Sequence, residues 1–270
     1  MRGNGGDTMR RFGAHRQTGF SLVELMVAMV LGLIITGAAI SLFSTNQRTF
    51  SLQQNMARIQ EQGDLAMRFI NQDVRLAGNM SDDVAATFMP GIILDASSAV
   101  TGGSAIPPGD DGGSDSDRLT LAYHGEKDCQ GNGGTGMKEI VNTYWVGGDD
   151  GDELYCRGNQ SGGSGGVVLL RGIKSFQVLY GVDQSTDGIP FASQYLRADE
   201  VLASADVDQS RIVAVKIGLL MEADLPVLGG EDQDQTFYIL DRQVDVSAGR
   251  TLRRQFFSTV AIRNYPWDVI

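Results

Sequence analysis

Histidine and cysteine are almost missing from this chain, with two of each in 270 residues. His15 lies near the N-terminus, and His124 stands alone in the body beside Glu126 and Asp128. A single histidine completes neither a zinc site nor a nucleophile–base pair, so His124 reads as a surface or turn residue. Two cysteines are too few for a disulfide scaffold and have no partners at zinc-ligand spacing. Glycine pairs at 102, 112, 133, 147, 162, 165 and 229 lack the Lys-Ser/Thr ending of a phosphate loop. These shortages leave no expected catalytic set, metal or cofactor, and the chain is not expected to be an enzyme.

Three further absences are informative. Proline does not occur before Pro90, no charged side chain occurs between Glu24 and Arg48, and positive charge is scarce beyond residue 19. The net charge of −11 divides unevenly: residues 1–19 carry Arg2, Arg10, Arg11 and Arg16 against Asp7, a net of +3, which leaves −14 on the rest. A body that acidic repels phosphate backbones, so no nucleic-acid partner is expected. The acidic runs Asp110-Asp111-Gly112-Gly113-Ser114-Asp115-Ser116-Asp117 and Asp149-Asp150-Gly151-Asp152-Glu153 could offer oxygens to calcium, but neither fits an EF-hand loop. They read as solvated turns.

What is present begins with Leu25 to Gln47, an uncharged run that includes Val27, Leu31, Leu33, Ile34, Ile35, Ile40 and Phe43. As a helix it is long enough to cross a bilayer core, which takes roughly 20 residues. It exceeds the h-region of a secretory signal, has no small-residue cleavage site before Asn46, and is preceded by an acidic residue, all of which argue against removal as a signal peptide. Basic residues ahead of the span keep the leader cytoplasmic and send the remainder across, which places the body in the periplasm.

Past the span the pattern becomes amphipathic without a break, as Leu52, Met56, Ile59, Gly63, Ala66, Ile70 and Val74 recur at steps of three and four. One helix is therefore expected from Phe20 to about Ala77, stopped by Gly78 and Asn79, and roughly 85 Å long. Strands are expected at 118–123, 139–146, 153–156, 167–170, 175–180, 211–220, 236–240 and 255–263, because short runs rich in Val, Ile, Leu, Tyr and Phe alternate with Gly, Asp and Ser clusters. The expected class is α+β: a long N-terminal helix, membrane-spanning in its first half, packed on one mostly antiparallel β-sheet. Glycine-rich loops at 101–117, 129–136, 147–151 and 158–166 read as mobile or ordered by a partner. In an exported domain Cys129 and Cys156 are expected to form one disulfide, the alternative being two unlinked buried thiols.

At Gly19-Phe20-Ser21-Leu22-Val23-Glu24-Leu25-Met26 the chain resembles the processing site of type IV prepilins. Asn71 to Gly78, Phe176 to Asp183 and Phe257 to Asn264 are similar to segments of PilW-type minor pilins. The resemblance implies that prepilin peptidase cuts between Gly19 and Phe20 and methylates the new amino group on Phe20. It implies that Glu24 belongs to the assembly and processing motif. It also implies other minor and major pilins as partners through the N-terminal helix, a tip adhesin, and residence in the inner membrane before assembly. The organisation it implies is a leader over 1–19, a membrane and assembly segment over 20–47, an amphipathic segment over 48–78 and a β-rich domain over 79–270. Met1 and Met9 are both possible starts and leave the same mature chain.

Glu24 has a reading without the resemblance. An isolated carboxylate in hydrocarbon costs several kcal/mol, so it needs a partner, such as a Phe20 ammonium on its own or a neighbouring subunit. The alternative places it at the level of the lipid headgroups. Major pilins often carry a proline mid-helix, and here the corresponding stretch is Ala39-Ile40-Ser41-Leu42. Two other functions fit the general pattern: a minor pseudopilin of type II secretion, and a membrane-anchored periplasmic binding module or enzyme.

Overall fold

The computed structural model describes residues 19–82, 90–94, 116–160, 165–185, 187–204, 211–227 and 232–264. The basic leader, Met9, most of the 101–117 loop, and Tyr265, Pro266 and Trp267 at the C-terminus lie outside them. The chain forms two units that divide between Thr49 and Phe50. Helix α1 spans Leu22–Leu76, close to the expected limits, and contributes its first part to one unit and its second part to the other.

In the first unit α1 presents an apolar surface on all sides, and none of its most apolar window is buried. The hydroxyls here are satisfied within the helix. Thr36 donates to the Gly32 carbonyl at 2.8 Å, and Thr45 and Thr49 donate to the carbonyls of Ser41 and Thr45 at 3.0 and 3.1 Å. Side chains that bond back one turn need no water, a requirement of a segment that sits in lipid.

In the second unit α1 buries Asn55, Ile59, Gly63, Ala66, Met67, Ile70, Asp73 and Val74, a stripe at helical spacing. Met56, expected in that stripe, is exposed instead, and Asn55 takes the inward place with its amide on the Leu225 carbonyl at 3.2 Å. The helix ends where Gly78 adopts φ +74, which a residue with a Cβ adopts only at a cost.

The strands form two four-stranded antiparallel sheets rather than the single sheet expected. Strands β1 (Arg118–Lys127), β2 (Gly133–Gly147), β3 (Glu153–Gly158) and β4 (Val167–Arg171) run as a meander in that order. The second sheet has the order β10-β7-β5-β6, from β5 (Ile173–Val182), β6 (Gln194–Leu196), β7 (Ile212–Pro226) and β10 (Thr251–Ala261). A short helix α2 (Ala198–Ala203) follows β6, and β8 (Gln235–Ile239) and β9 (Arg242–Val246) make a separate ribbon.

The division has a local cause. Beyond the three residues of β6, the β5 edge is occupied by the residues just before β1: the Asp117 N–H donates to the Phe176 carbonyl at 2.6 Å, and the Asp117 carboxylate accepts from the Val178 N–H at 2.8 Å. Asp117 therefore belongs to no solvated acidic turn. Residues 129–136 are likewise not a loop throughout, since β2 begins at Gly133.

One core joins the helix to both sheets, with Ile59, Ile70 and Val74 packed among Leu119, Leu121, Phe176, Tyr180, Ile217 and Leu219. A smaller cluster of Leu220, Ile239 and Val244 fixes the β8–β9 ribbon on β7. Strands β6 and β9 and helix α2 were not expected from the sequence. The β8–β9 turn is made by Leu240 and Asp241, with Leu240 at φ +58, so the Asn-Gly or Asp-Gly signal of a two-residue hairpin is missing.

Candidate functional site

The N-terminal motif is an exposed peptide leading into a capped helix. Gly19, Phe20 and Ser21 precede the first helical turn, and Phe20 is 83% exposed. Ser21 accepts the Glu24 backbone N–H on its Oγ at 3.2 Å, while its carbonyl accepts the Leu25 N–H at 3.2 Å. Ser21 is thus the N-cap, and Ser21-x-x-Glu24 has the spacing of a capping box. Glu24 lies in the first turn, where a negative charge complements the helix dipole. The sequence carries this signal in the Ser-x-x-Glu spacing directly after the Gly-Phe pair. The arrangement presents an accessible Gly19-Phe20 bond immediately before a capped helix.

A second constellation joins α1 to the first sheet. Asp73 is 9% exposed, and its carboxylate accepts from Tyr144 Oη at 2.6 Å, Asn142 Nδ2 at 2.6 Å and Tyr123 Oη at 3.3 Å. Burial pushes the Asp73 carboxyl above its ordinary value, while the bonds from Tyr144, Asn142 and Tyr123 oppose that rise. Burial, with the Asp73 charge beside it, pushes the Tyr144 hydroxyl well up, so it remains a donor at neutral pH. Asn142 carries the link onward, since its Oδ1 accepts the Cys129 N–H at 3.0 Å. Cys129 is bonded to Cys156 with their Cα atoms 6.3 Å apart, so the expected bridge is present. Helix, first sheet and disulfide form one continuous polar path.

The third constellation gathers the segments that carried the pilin resemblance. Asn71 Nδ2 donates to Ser258 Oγ at 2.9 Å, and Asn264 Nδ2 lies 3.2 Å from the Ala77 carbonyl and 3.3 Å from that of Arg75 at the helix end. Phe176 to Asp183 is most of β5, next to β7, which in turn pairs with β10. Buried Asp183 accepts the Ser185 N–H and hydroxyl at 2.8 and 2.7 Å and the Phe191 N–H at 3.2 Å. Burial raises its pKa, but those three bonds and Arg211 outweigh it and hold the carboxyl below its ordinary range. These segments build the joint between helix end and second sheet.

His124 is buried rather than on the surface: its Nδ1 accepts the Ser81 N–H at 2.8 Å and its carbonyl accepts from the Asn79 amide, which fixes the chain leaving the helix. Glu153 pairs with Arg171 at 2.9 Å in a cleft of about 630 Å³ bordered also by Asp152, Glu222 and Asp224, and Asp152 approaches Lys174 at 3.9 Å. Among the described residues no three His, Cys, Asp or Glu side chains converge as a metal site.

Residues 14–40 match the Prokaryotic N-terminal methylation motif, and residues 143–264, from β2 through the end of β10, match Type IV Pilus-assembly protein W. The head of the chain is thus similar to a methylation-motif segment, and its later part to the PilW family. Its match to the methylation motif contains Gly19, Phe20 and Glu24, and its PilW match contains Cys156, β5 and the Asn264 helix cap. A solved type IV-like pilin from Thermus thermophilus is 14% identical over 77% of this chain and 97% of its own length, with a TM-score of 0.46. Comparison with curated proteins gives no match. An apolar N-terminal helix headed by a match to the methylation motif fits a membrane anchor.

Proposed function

We propose that the chain is a minor pilin whose leader, residues 1–19, is removed between Gly19 and Phe20 and whose new Phe20 amino group is methylated by prepilin peptidase. The mature subunit waits in the inner membrane on residues 20–47, with its β-rich domain in the periplasm, and then joins other minor and major pilins through that helix to prime assembly. It acts by assembly and is the peptidase's substrate, with no catalysis of its own. The observation that supports this reading best is the methylation motif over residues 14–40 at the head of an apolar helix with no buried residue in its apolar window.

Glu24 is the proposed pairing partner of a Phe20 ammonium on the same or a neighbouring subunit. Losing one member of a buried charge pair costs on the order of 3–5 kcal/mol, enough to disfavour docking. Mass spectrometry of the N-terminal peptide from sheared surface fibres tests both points. The expected species begins at methylated Phe20, and Glu24→Ala is expected to be processed yet depleted from fibres. An unprocessed chain in the fibre, or cleavage beyond residue 45, refutes the processing step; normal incorporation of Glu24→Ala refutes the pairing.

A further inference from the structure

Four strand edges terminate the two sheets, and they differ in how they are closed. The β1 edge is covered by the chain leaving α1, with bonds from the Gly78 N–H to Ala122, Ala122 to Gly91, Ile93 to Thr120 and His124 to Asn79. The β4 edge is five residues long and the β6 edge three. Strand β10 has eleven residues, lies at the outside of its sheet, and among the described residues receives no backbone hydrogen bond on the side away from β7. A row of unpaired N–H and C=O groups of that length is a template for one more strand.

The side chains along this edge specify what kind of strand fits. α1 runs beside β10, as Gly63 against Phe256, Asn71 against Ser258 and Asn264 against the helix end show. Arg68 and Arg75, three residues before and four after Asn71, share its flank of the helix. Arg254 lies over the Phe256 ring at 5.7 Å on the helix side of β10, and Arg263 follows the strand. All four arginines have no ion-pair partner among the described residues, in a chain of net charge −11. Asp64, on the same flank, is engaged by Gln60. On the opposite face of β10, Phe257 is 53% exposed. A strand laid along β10 therefore has one face toward arginines with no ion-pair partner among the described residues and the other beside an exposed aromatic ring.

We infer that the free edge of β10 binds an extended segment of a partner protein in which acidic and apolar residues alternate, added as a fifth strand with its acidic face toward Arg68, Arg75 and Arg254. Backbone bonds supply the attraction and the arginines choose the partner. This surface is separate from the proposed processing at Gly19 and does not depend on it.

The test uses the full chain in detergent micelles and two synthetic peptides of β10's length, one alternating Glu and Val and the other Lys and Val. Hydrogen exchange read by mass spectrometry is expected to show protection of β10 amides by the Glu peptide and none by the Lys peptide. The Arg68→Glu/Arg254→Glu double variant is expected to weaken the Glu peptide roughly tenfold or more and to admit the Lys peptide. If that variant does not fold, the wild-type chain still decides, because its preference must collapse as salt is raised. Protection by neither peptide means that the arginines guard the edge against pairing, and it overturns the proposal. Equal protection by both, or protection elsewhere than β10, overturns it as well.

Discussion

The two parts of α1 are continuous in backbone and opposite in what they do with apolar side chains. From Leu22 to Phe43 the large residues stand outward, with Leu33 74% and Ile35 68% exposed, and the few hydroxyls bond back into the helix. From Asn55 to Val74 a single stripe is buried on the chain's own sheets, and the polar side chains either face outward or, like Asn55 and Asp73, find fixed partners. The second part is stabilised by its own protein in water. The first has no such cover and requires an apolar solvent, which is lipid or neighbouring helices.

The sharpest way to break this comparison is to divide the chain. A version beginning at Phe50 is expected to stay in aqueous solution and unfold cooperatively, whereas the full chain should partition into detergent; phase separation followed by thermal unfolding checks both. If the shorter version needs detergent, the boundary between the two solvents is misplaced.

Reducing Cys129–Cys156 should affect only the second unit. In the chain-entropy estimate a loop of this size is worth about 3–4 kcal/mol, and denaturant unfolding with and without reductant measures it. Helical circular dichroism from the apolar segment should not change.

Removing Asp73 comes next. Asp73→Ala leaves Tyr144, Asn142 and Tyr123 without their acceptor, at an expected cost of about 2–4 kcal/mol. Because burial raises this carboxyl in the folded chain, its contribution to stability is fully present below the ordinary value of 3.8 and is lost as pH rises through the folded value. Asp73→Asn should flatten that part of the stability profile, as urea titrations at several pH values would show. Asp183 has the opposite sign: its contribution is present above 3.8 and is lost as pH falls through its lowered value.

The smallest effects give the finest contrast. An added Cβ at Gly63 overlaps the Phe256 ring, while at Gly37 it meets nothing within 4 Å. Gly63→Ala is expected to destabilise the second unit by about 1–3 kcal/mol. Gly37→Ala should stabilise the helix by up to about 1 kcal/mol, detected as greater helicity in micelles. Equal responses at the two positions would remove the distinction between covered and uncovered halves.

Much of this was legible because it rests on local rules. An uncharged run, a stripe at steps of three and four, and a glycine stop fixed α1 to within about two residues, and all eight expected strands overlap observed ones in the same order because β-branched runs were bounded by turn residues. What escaped depended on distant partners or unusual turns. Nothing local marks Asp117 as the cap of β5, His124 as the anchor of residues 79–81, or Asn55 as inward-facing, since each role is created by a partner elsewhere in the chain. Leu240 at positive φ hid the β8–β9 hairpin, and the replacement of one sheet by two followed from contacts at Asp117 that no alternation pattern records.

The notch at Gly63 gives the helix an index mark. The Phe256 ring fits where the helix has no side chain, and the positions on either side carry Gln62 and Asp64. Rotating the helix by one residue, or sliding it by one, would put a side chain where the ring now sits. A smooth greasy stripe would tolerate several nearly equivalent alignments, whereas one keyed position leaves a single orientation of the helix on its sheet, and with it a defined set of residues turned outward for whatever the subunit meets.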